Sequence, residues 1–259
     1  MARIFPNLST RLWAVWRRDF DVFLRLFMVN FLLPMVEPVL YLVALGFGLG
    51  LFIKEINGIP YSRFIAPGLV SVAMMYASFF ECTYASFVRM YYQRTFDAIV
   101  ATPINVEEVV AAEIFWGATR AGINACLVFI VVILFGLASP LLLPVVGIVG
   151  FGSGLVFGSL GMIATALVPS IDAFNYPIFL FITPMFLFSG TFFPISVLPK
   201  TVQAISWAIL PLSHVVRINR ALLSGHFGLS LVWSLVWMVV VGSFTFLLAI
   251  RLMKRRLVK

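Results

Sequence analysis

Residues 121–171 run AGINACLVFIVVILFGLASPLLLPVVGIVGFGSGLVFGSLGMIATALVPSI, 51 residues without one Asp, Glu, Lys or Arg. A helix needs about 20 apolar residues to cross the hydrocarbon of a bilayer, so this stretch holds two spans. Ser139-Pro140 is the natural turn between them. Gly150, Gly152, Gly154, Gly158 and Gly161 crowd the second span, and small residues at that density let neighbouring helices approach closely. The whole chain has the same character: 62% apolar, 11% charged, mean hydropathy +1.08. A soluble domain carries about 25% charged residues. Ten acids and 18 Lys and Arg cannot cover the surface of 259 residues in water. This composition excludes a disordered chain, a nucleic-acid module and an ordinary cytosolic enzyme. It predicts an all-α polytopic membrane protein, one domain over residues 1–259.

Leu26 to Ile53 holds one charge, Glu37, and Phe64 to Val88 holds one, Glu81. Six spans are expected, at 27–52, 64–88, 114–138, 142–168, 173–193 and 228–250. Pro177 and Pro184 interrupt the fifth, and Ser189-Gly190 and Pro194 end it. Residues 195–213 are apolar but broken by Lys200, Gln203, Ser206 and Pro211. That pattern suits a re-entrant pair of short helices whose irregular backbone is buried by protein. At the other end, Trp13, Trp16, Phe20, Phe23 and Phe27 recur at steps of three or four, and Arg11, Arg18 and Arg25 at seven. Residues 7–25 therefore predict an amphipathic helix lying in the membrane interface, aromatic side toward lipid. Pro34 and Pro38 kink or break the next segment.

The net charge of +8 gathers at the two ends. Arg3, Arg11, Arg17, Arg18 and Arg25 precede the first span; Arg251, Lys254, Arg255, Arg256 and Lys259 follow the last. Six spans put both termini on one side, and the positive-inside rule makes that side cytoplasmic. The basic balance is thus a matter of topology, and no nucleic-acid partner is expected. No catalytic signature stands out. His214 and His226 have no carboxylate or cysteine at ligand spacing, and a structural role is expected for His214. Gly46, Gly48 and Gly50 lack the lysine of a phosphate loop, and Cys82 and Cys126 lie inside apolar stretches. No metal or cofactor site is expected in this chain.

Charges within spans are costly and must find a partner or water. Glu37, Glu81 with nearby Tyr84, and Arg120 are such groups. Two readings stand: ties between helices, or the lining of a route for a polar substrate. The connector from Arg89 to Glu113 is the other informative region. It holds four acids (Asp97, Glu107, Glu108, Glu113) against Arg89 and Arg94, an imbalance that a docked protein partner would explain. Asn105 can cap a helix that starts at Val106, with Glu107 and Glu108 in the first turn, where acids are favoured. Residues 91–104 then form a compact knob, either a solvated loop or a helix that inserts into a soluble motor subunit.

From this connector outward the chain resembles the permease subunits of bacterial ABC-2 type exporters, and in particular the nodulation-factor export permease family. The resemblance runs nearly end to end. It rests on Gly46-Phe47-Gly48-Leu49-Gly50, on YSRFIAPGLV from Tyr61, and on Glu81 with Tyr84. It continues through Phe96-Asp97-Ala98-Ile99 with Thr102-Pro103, and EIFWGATRA from Glu113. The late markers are Thr183-Pro184-Met185, Phe188-Ser189-Gly190, Phe193-Pro194, Leu198-Pro199 and Pro211-Leu212-Ser213-His214. The resemblance implies the six-helix ABC-2 fold in the bacterial inner membrane, with cytoplasmic termini, an interfacial N-terminal helix and a re-entrant pair before the last span. It implies a second permease, expected to be identical, and two copies of a soluble ATPase subunit that bind ATP and Mg. Residues near Tyr92, Arg94, Phe96, Asp97, Ile99, Thr102 and Pro103 would form the coupling helix. Relatives export lipo-oligosaccharides, polysaccharides or hydrophobic drugs, so the expected cargo is a lipid-linked saccharide or other amphiphile, with a drug as the alternative. Phe192 and Phe193, just before Pro194, are candidates for an outer gate. An ion-driven secondary transporter and a non-transporting membrane scaffold are the rival classes.

Overall fold

A computed structural model describes residues 6–25, 36–53 and 55–257. The start of the first expected span, with Pro34, and the aromatic position Phe27 lie outside these residues. The first described helix, α1 (Leu12–Arg25), turns its stripe toward protein: Leu12, Val15 and Phe23 are buried. Trp16, Phe20 and Phe23 surround Trp116 with ring centroids 5.5–6.2 Å apart, edge to face. Trp16 also donates to Thr119 Oγ1 at 3.0 Å. The aromatic side expected to face lipid is therefore largely a docking surface for the helix that carries Trp116; among its described rings only Trp13 stays more than half exposed.

Five described helices are long and apolar enough to cross a membrane. These are α3 (Tyr61–Tyr92), α5 (Val106–Leu134), α6 (Pro140–Leu167), α7 (Ile171–Phe188) and α10 (Leu229–Leu257). The described part of the first expected span is a shorter apolar helix, α2 (Val36–Leu51). Between α2 and α3 lies a small hairpin, β1 (Glu55–Ile56) paired antiparallel with β2 (Ile59–Pro60). Asn57 and Gly58 both have positive φ, 53° and 75°, as a two-residue turn matched to strand twist requires. After α3 comes the six-residue α4 (Thr95–Val100); after α7 come α8 (Lys200–Ile209) and α9 (Pro211–Ser224). α5 begins at Val106, earlier than the expected 114, so its acidic first turns and its apolar body are one helix.

The core is formed by α3, α5 and α6, and its packing follows from small residues. A Cβ on Gly154 would lie 2.6 Å from the Ala118 Cα, and one on Gly150 2.8 Å from the Ala125 Cβ. Against α3, a Cβ on Gly158 would meet Ser78 Oγ at 2.8 Å, and one on Gly161 the Phe79 carbonyl oxygen at 2.8 Å. Close approach brings polar groups into range: Ser78 Oγ donates to the Gly154 carbonyl at 2.6 Å, and Thr165 Oγ1 to the Cys82 carbonyl at 2.7 Å. Such bonds replace water that hydrocarbon cannot supply. On the periphery α7 and α10 expose Phe179, Leu180, Val239 and Phe244, the apolar surface that lipid contact calls for.

The helices are not uniform. α2, α3 and α7 each contain wide, π-type turns: Leu42–Gly48, Glu81–Ala85, Val88–Tyr92 and Ile178–Ile182. Pro67 within α3 removes a backbone donor. The α7 turn lies between Pro177 and Pro184, where two further donors are missing. The two in α3 re-aim the side chains from Glu81 onward, which is where the charged groups lie.

The glycine seam makes a sharp comparison. Gly154→Val should destabilise the permease by about 2 kcal/mol, because the added branch must push α5 away. Gly152→Val, where a Cβ meets nothing within 4 Å, should stay within about 0.5 kcal/mol of the parent. SDS-induced unfolding in mixed micelles measures both.

Candidate translocation site

Charged residues from α1, α3 and α5 converge on one cluster. Arg89, near the end of α3, sits between two carboxylates: its NH1 is 2.9 Å from Glu81 Oε1, and its NH2 and Nε face Glu113. Glu81 is shared in turn. Its Oε2 lies 3.3 Å from Arg120 NH1, and its Oε1 accepts from Trp116 Nε1 at 3.1 Å. Glu113 is fully buried and also accepts from Ser86 Oγ at 2.8 Å. α1 closes the cluster with Arg18, paired to Asp19 and 3.9 Å from Glu113. Burial, and then the neighbouring Glu113, push the Asp19 carboxyl up to about 6. Three guanidiniums thus meet three carboxylates, which is how buried charges become tolerable.

Two cavities meet at this cluster. One, of about 310 Å³, is lined by Glu37, Tyr41, Tyr76, Glu81, Tyr84, Arg120 and Asn124 among others. The second, of about 660 Å³, lies between α1, α3 and α5 and extends to Gln93 and Thr95 at the α4 end. Glu81, Tyr84, Ala85 and Arg120 line both. All four residues singled out from the sequence, Glu37, Glu81, Tyr84 and Arg120, therefore line one cavity, and Glu81 and Arg120 form an ion pair. The two readings of these charges are compatible: the groups that tie helices also line the space between them.

An aromatic chain runs beside the cavities. Phe192 packs edge-on to Phe186 at 5.0 Å, Phe186 lies 6.1 Å from Tyr76, and Tyr76 stacks on Phe80 at 5.4 Å. Phe80 leads to Tyr84 at 5.9 Å, Tyr84 to Phe174 at 5.1 Å, and Phe174 to Phe87 at 5.5 Å. Phe87 then reaches Tyr91 and Tyr92, where α3 ends. Phe193 makes no ring contact among the described residues, so the two expected gate residues separate: Phe192 belongs to this chain of rings and Phe193 does not.

The knob after α3 is held by a few contacts. Arg94 takes a left-handed conformation, φ 51°, that separates α3 from α4. Phe96 is buried among Val106, Val109 and their neighbours, so it anchors α4 and offers no surface; Ile99 is half-buried. Tyr92, Arg94, Asp97, Thr102 and Pro103 are exposed. Asn105 caps α5 in a reciprocal box with Glu108, both bonds at 2.9 Å, as its position before two acids predicts. Glu108 also accepts from the Ser9 amide at 3.0 Å, and Glu107 pairs with Lys254. Three of the connector's four acids thus have partners within the chain, and Asp97 is the one left exposed.

On the far side, His214 stacks on Trp237 at 4.2 Å, lies 3.2 Å from Ser234 Oγ and contacts the Trp207 carbonyl at 3.0 Å. Burial holds it below the usual histidine range. These are structural contacts. Among the described residues no group of three or more His, Cys, Asp or Glu is placed to hold a metal ion.

Residues 10–224 match the ABC-2 type transporter family. The chain belongs to that family. The permease is 36% identical to Nodulation protein J of Rhizobium leguminosarum bv. viciae over 95% of each chain. It is also 36% identical to Nodulation protein J of Rhizobium meliloti (strain 1021), over 94% of this chain and 93% of the other. A more distant relative is the inner membrane transport permease YadH of Escherichia coli (strain K12), 20% identical over 74% of this chain and 75% of the other. No solved structure matches the permease. It is a multi-pass inner-membrane protein and the translocation subunit of an exporter, with the chemistry of ATP hydrolysis placed outside this chain by its family.

The sequence marks the ends of the charged cluster but not its centre, Arg89 and Glu113, which read as the two ends of a polar connector. Tyr41, Tyr76 and Asn124 carry no mark of a site in the sequence either. The spacing of Tyr76, Phe80 and Tyr84 at four-residue steps is the available signal for an aromatic ridge on α3.

A double-mutant cycle tests the tie. Glu81→Ala should cost about 3 kcal/mol, because it strips Arg120 of its carboxylate and Arg89 of one of two. Arg120→Ala should cost less than half of that, since Glu81 keeps Arg89 and Trp116. The double variant should be more stable than the sum of the two predicts, again by SDS-induced unfolding; strict additivity would show that the pair contributes nothing.

Proposed function

We propose that two copies of this permease, each carrying a soluble ATPase subunit on its cytoplasmic side, export a lipid-linked saccharide or other amphiphile. Six spans cross the membrane, the sixth completed by α2. Both termini are cytoplasmic, α1 lies at the interface, and α8 with the start of α9 forms a re-entrant pair in the outer leaflet. α4 is the coupling helix: when the ATPases bind ATP and Mg and close, they push on the exposed knob it forms with its flanks, Asp97 on α4 itself, Tyr92 and Arg94 before it, and Thr102 and Pro103 after it. α4 passes the movement to α3 through Phe96 and Phe87. The cargo enters near the α4 end, passes the Glu81–Arg120 pair, and leaves past Phe192 and Phe193.

The observation that carries this reading is the aromatic chain from Phe192 to Tyr92 beside two cavities that share an ion pair. Aromatic faces accept both acyl chains and the apolar faces of sugar rings. Glu37, Glu81, Arg120 and Asn124 offer hydrogen-bonding groups for hydroxyls. A purely hydrophobic cargo would have no use for Glu81 and Asn124, which are buried in that wall, or for the half-buried Arg120, since polar groups there are costly to keep.

Native mass spectrometry of the complex purified from its own operon should give two permeases with two ATPase subunits, and a permease that stays alone overturns the assembly. In that complex Asp97→Lys with Ile99→Pro should leave insertion and pairing intact while ATPase stimulation by a lipo-oligosaccharide falls to the unstimulated level. Normal stimulation removes α4 from the coupling role. Phe192→Ala with Phe193→Ala should fold normally and change export or basal leak in proteoliposomes; unchanged values for both exclude them from the outer gate.

A further inference from the structure

At the end of the molecule opposite α4, a cavity of about 730 Å³ opens between the β1–β2 hairpin, α3, α8 and α9. Its lining contains Arg63, Arg217, Arg220 and His226 and no Asp or Glu. None of the three arginines forms an ion pair among the described residues. That is the reverse of the α1–α3–α5 cluster, where every guanidinium has a carboxylate.

Two of these arginines are held rigidly. The Arg220 guanidinium lies over the Phe64 ring, 4.0 Å from its centroid, and Arg217 over Trp207 at 3.4 Å. Stacking fixes the plane of a guanidinium and presents its N–H edge to acceptors in that plane; Arg217 spends NH1 on a long, 3.5 Å contact with the Ser230 carbonyl. Arg220 uses one amine on the Gly190 carbonyl, but its Nε is buried without a protein partner. The hydroxyls of Ser189 and Ser213 are buried in the same wall, also without partners. Ser213, Arg217, Arg220 and Ser224 follow at steps of three and four along α9, which puts them on one side of the helix. Burial pulls Arg220 down to about 10, so it remains a cation at neutral pH. A half-buried cation with a buried, unpartnered Nε and two orphaned hydroxyls on one wall are an unfavourable arrangement that an anion would correct.

We propose that this cavity binds the phosphate headgroup of an anionic amphiphile at the outer leaflet, with Arg63, Arg217 and Arg220 as its donors. The outer-leaflet placement rests on the orientation proposed above. Phosphate suits the set, because planar guanidiniums at two or three angles match its tetrahedral oxygens. The headgroup comes either from a resident bilayer phospholipid or from a phosphorylated cargo on its way out. The cavity adjoins Pro194 and Ile195, directly after the proposed outer gate, so a bound headgroup there would bear on the gate.

The test uses the full-length permease, delipidated in mild detergent and titrated by native mass spectrometry. The probes are phosphatidylglycerol, phosphatidylcholine with the same acyl chains, and octyl phosphate. Preference for phosphatidylglycerol over phosphatidylcholine identifies a bilayer lipid; octyl phosphate binding without that preference identifies a phosphorylated cargo. Under either source, Arg217→Gln with Arg220→Gln should weaken the preferred probe about tenfold, the loss expected for a charge-assisted bond. Arg17→Gln with Arg255→Gln removes the same charge elsewhere and should change binding less than about twofold. Arg63 is exposed at the rim, so Arg63→Gln leaves packing intact and should weaken binding about threefold even where the double variant misfolds. Equal affinity in parent, R63Q and R217Q/R220Q, or equal losses in the R17Q/R255Q control, overturns the site. Separately, Glu55→Cys in the hairpin should react with a membrane-impermeant maleimide in intact cells. Labelling only after permeabilisation overturns the outer-leaflet placement while leaving the binding result to stand by itself.

Discussion

The interaction on which the rest depends is the Arg89 guanidinium between Glu81 and Glu113. A lone guanidinium at that depth would be expelled or would draw water in. With two carboxylates and the bonds from Ser86 and Trp116, it becomes the point at which α3 and α5 are fixed in rotation and height. Everything downstream inherits that register. Glu81 is held where Arg120 can reach it, so the two cavities meet at a pair rather than at an open seam. α1 finds a charged notch for Arg18 and Asp19, and Trp116 is turned to receive three aromatic rings. Such a cluster contributes uniqueness more than raw stability, since an apolar core of equal volume would hold as well.

The glycine seam supplies the complementary constraint. α6 can approach α5 and α3 closely only because four of its positions have no side chain, and closeness allows Ser78 and Thr165 to bond across helices. One half of the core is therefore aligned by charge and the other by contact. α7 and α10 expose most of their apolar surface, as befits helices placed against lipid or a second subunit, and α10 is tied at its basic end by Lys254 to Glu107 of α5.

Much of this is legible in the sequence because the bilayer is a strict solvent. It forces long uncharged runs, so residues 121–171 declare two spans, and two long apolar helices lie there. The Asn105 cap is legible because a short polar side chain followed by two acids has one favoured conformation. The centre of the charged cluster is not, and the reason is physical. Arg89 and Glu113 sit at the ends of apolar runs, where a charge is equally at home in a loop, and only the third dimension brings them within a hydrogen bond of each other. The aromatic stripe of α1 misleads for a related reason: an amphipathic face looks the same whether it meets lipid or Trp116. The arginine-lined cavity on α9 is silent too, since Arg217 and Arg220 look like any charges near a membrane edge until the absence of a nearby acid is seen.

The pairing of three carboxylates with three guanidiniums has an electrical meaning. A membrane potential acts on net charge, with about 2.3 kcal/mol for each elementary charge carried through 100 mV. A cluster that sums to zero offers that field no handle, whether it stays still or shifts as a body. Shifting the cluster as a body at neutral pH therefore takes no net electrical work. Work to rearrange it has to arrive mechanically, through the helices that carry the charges.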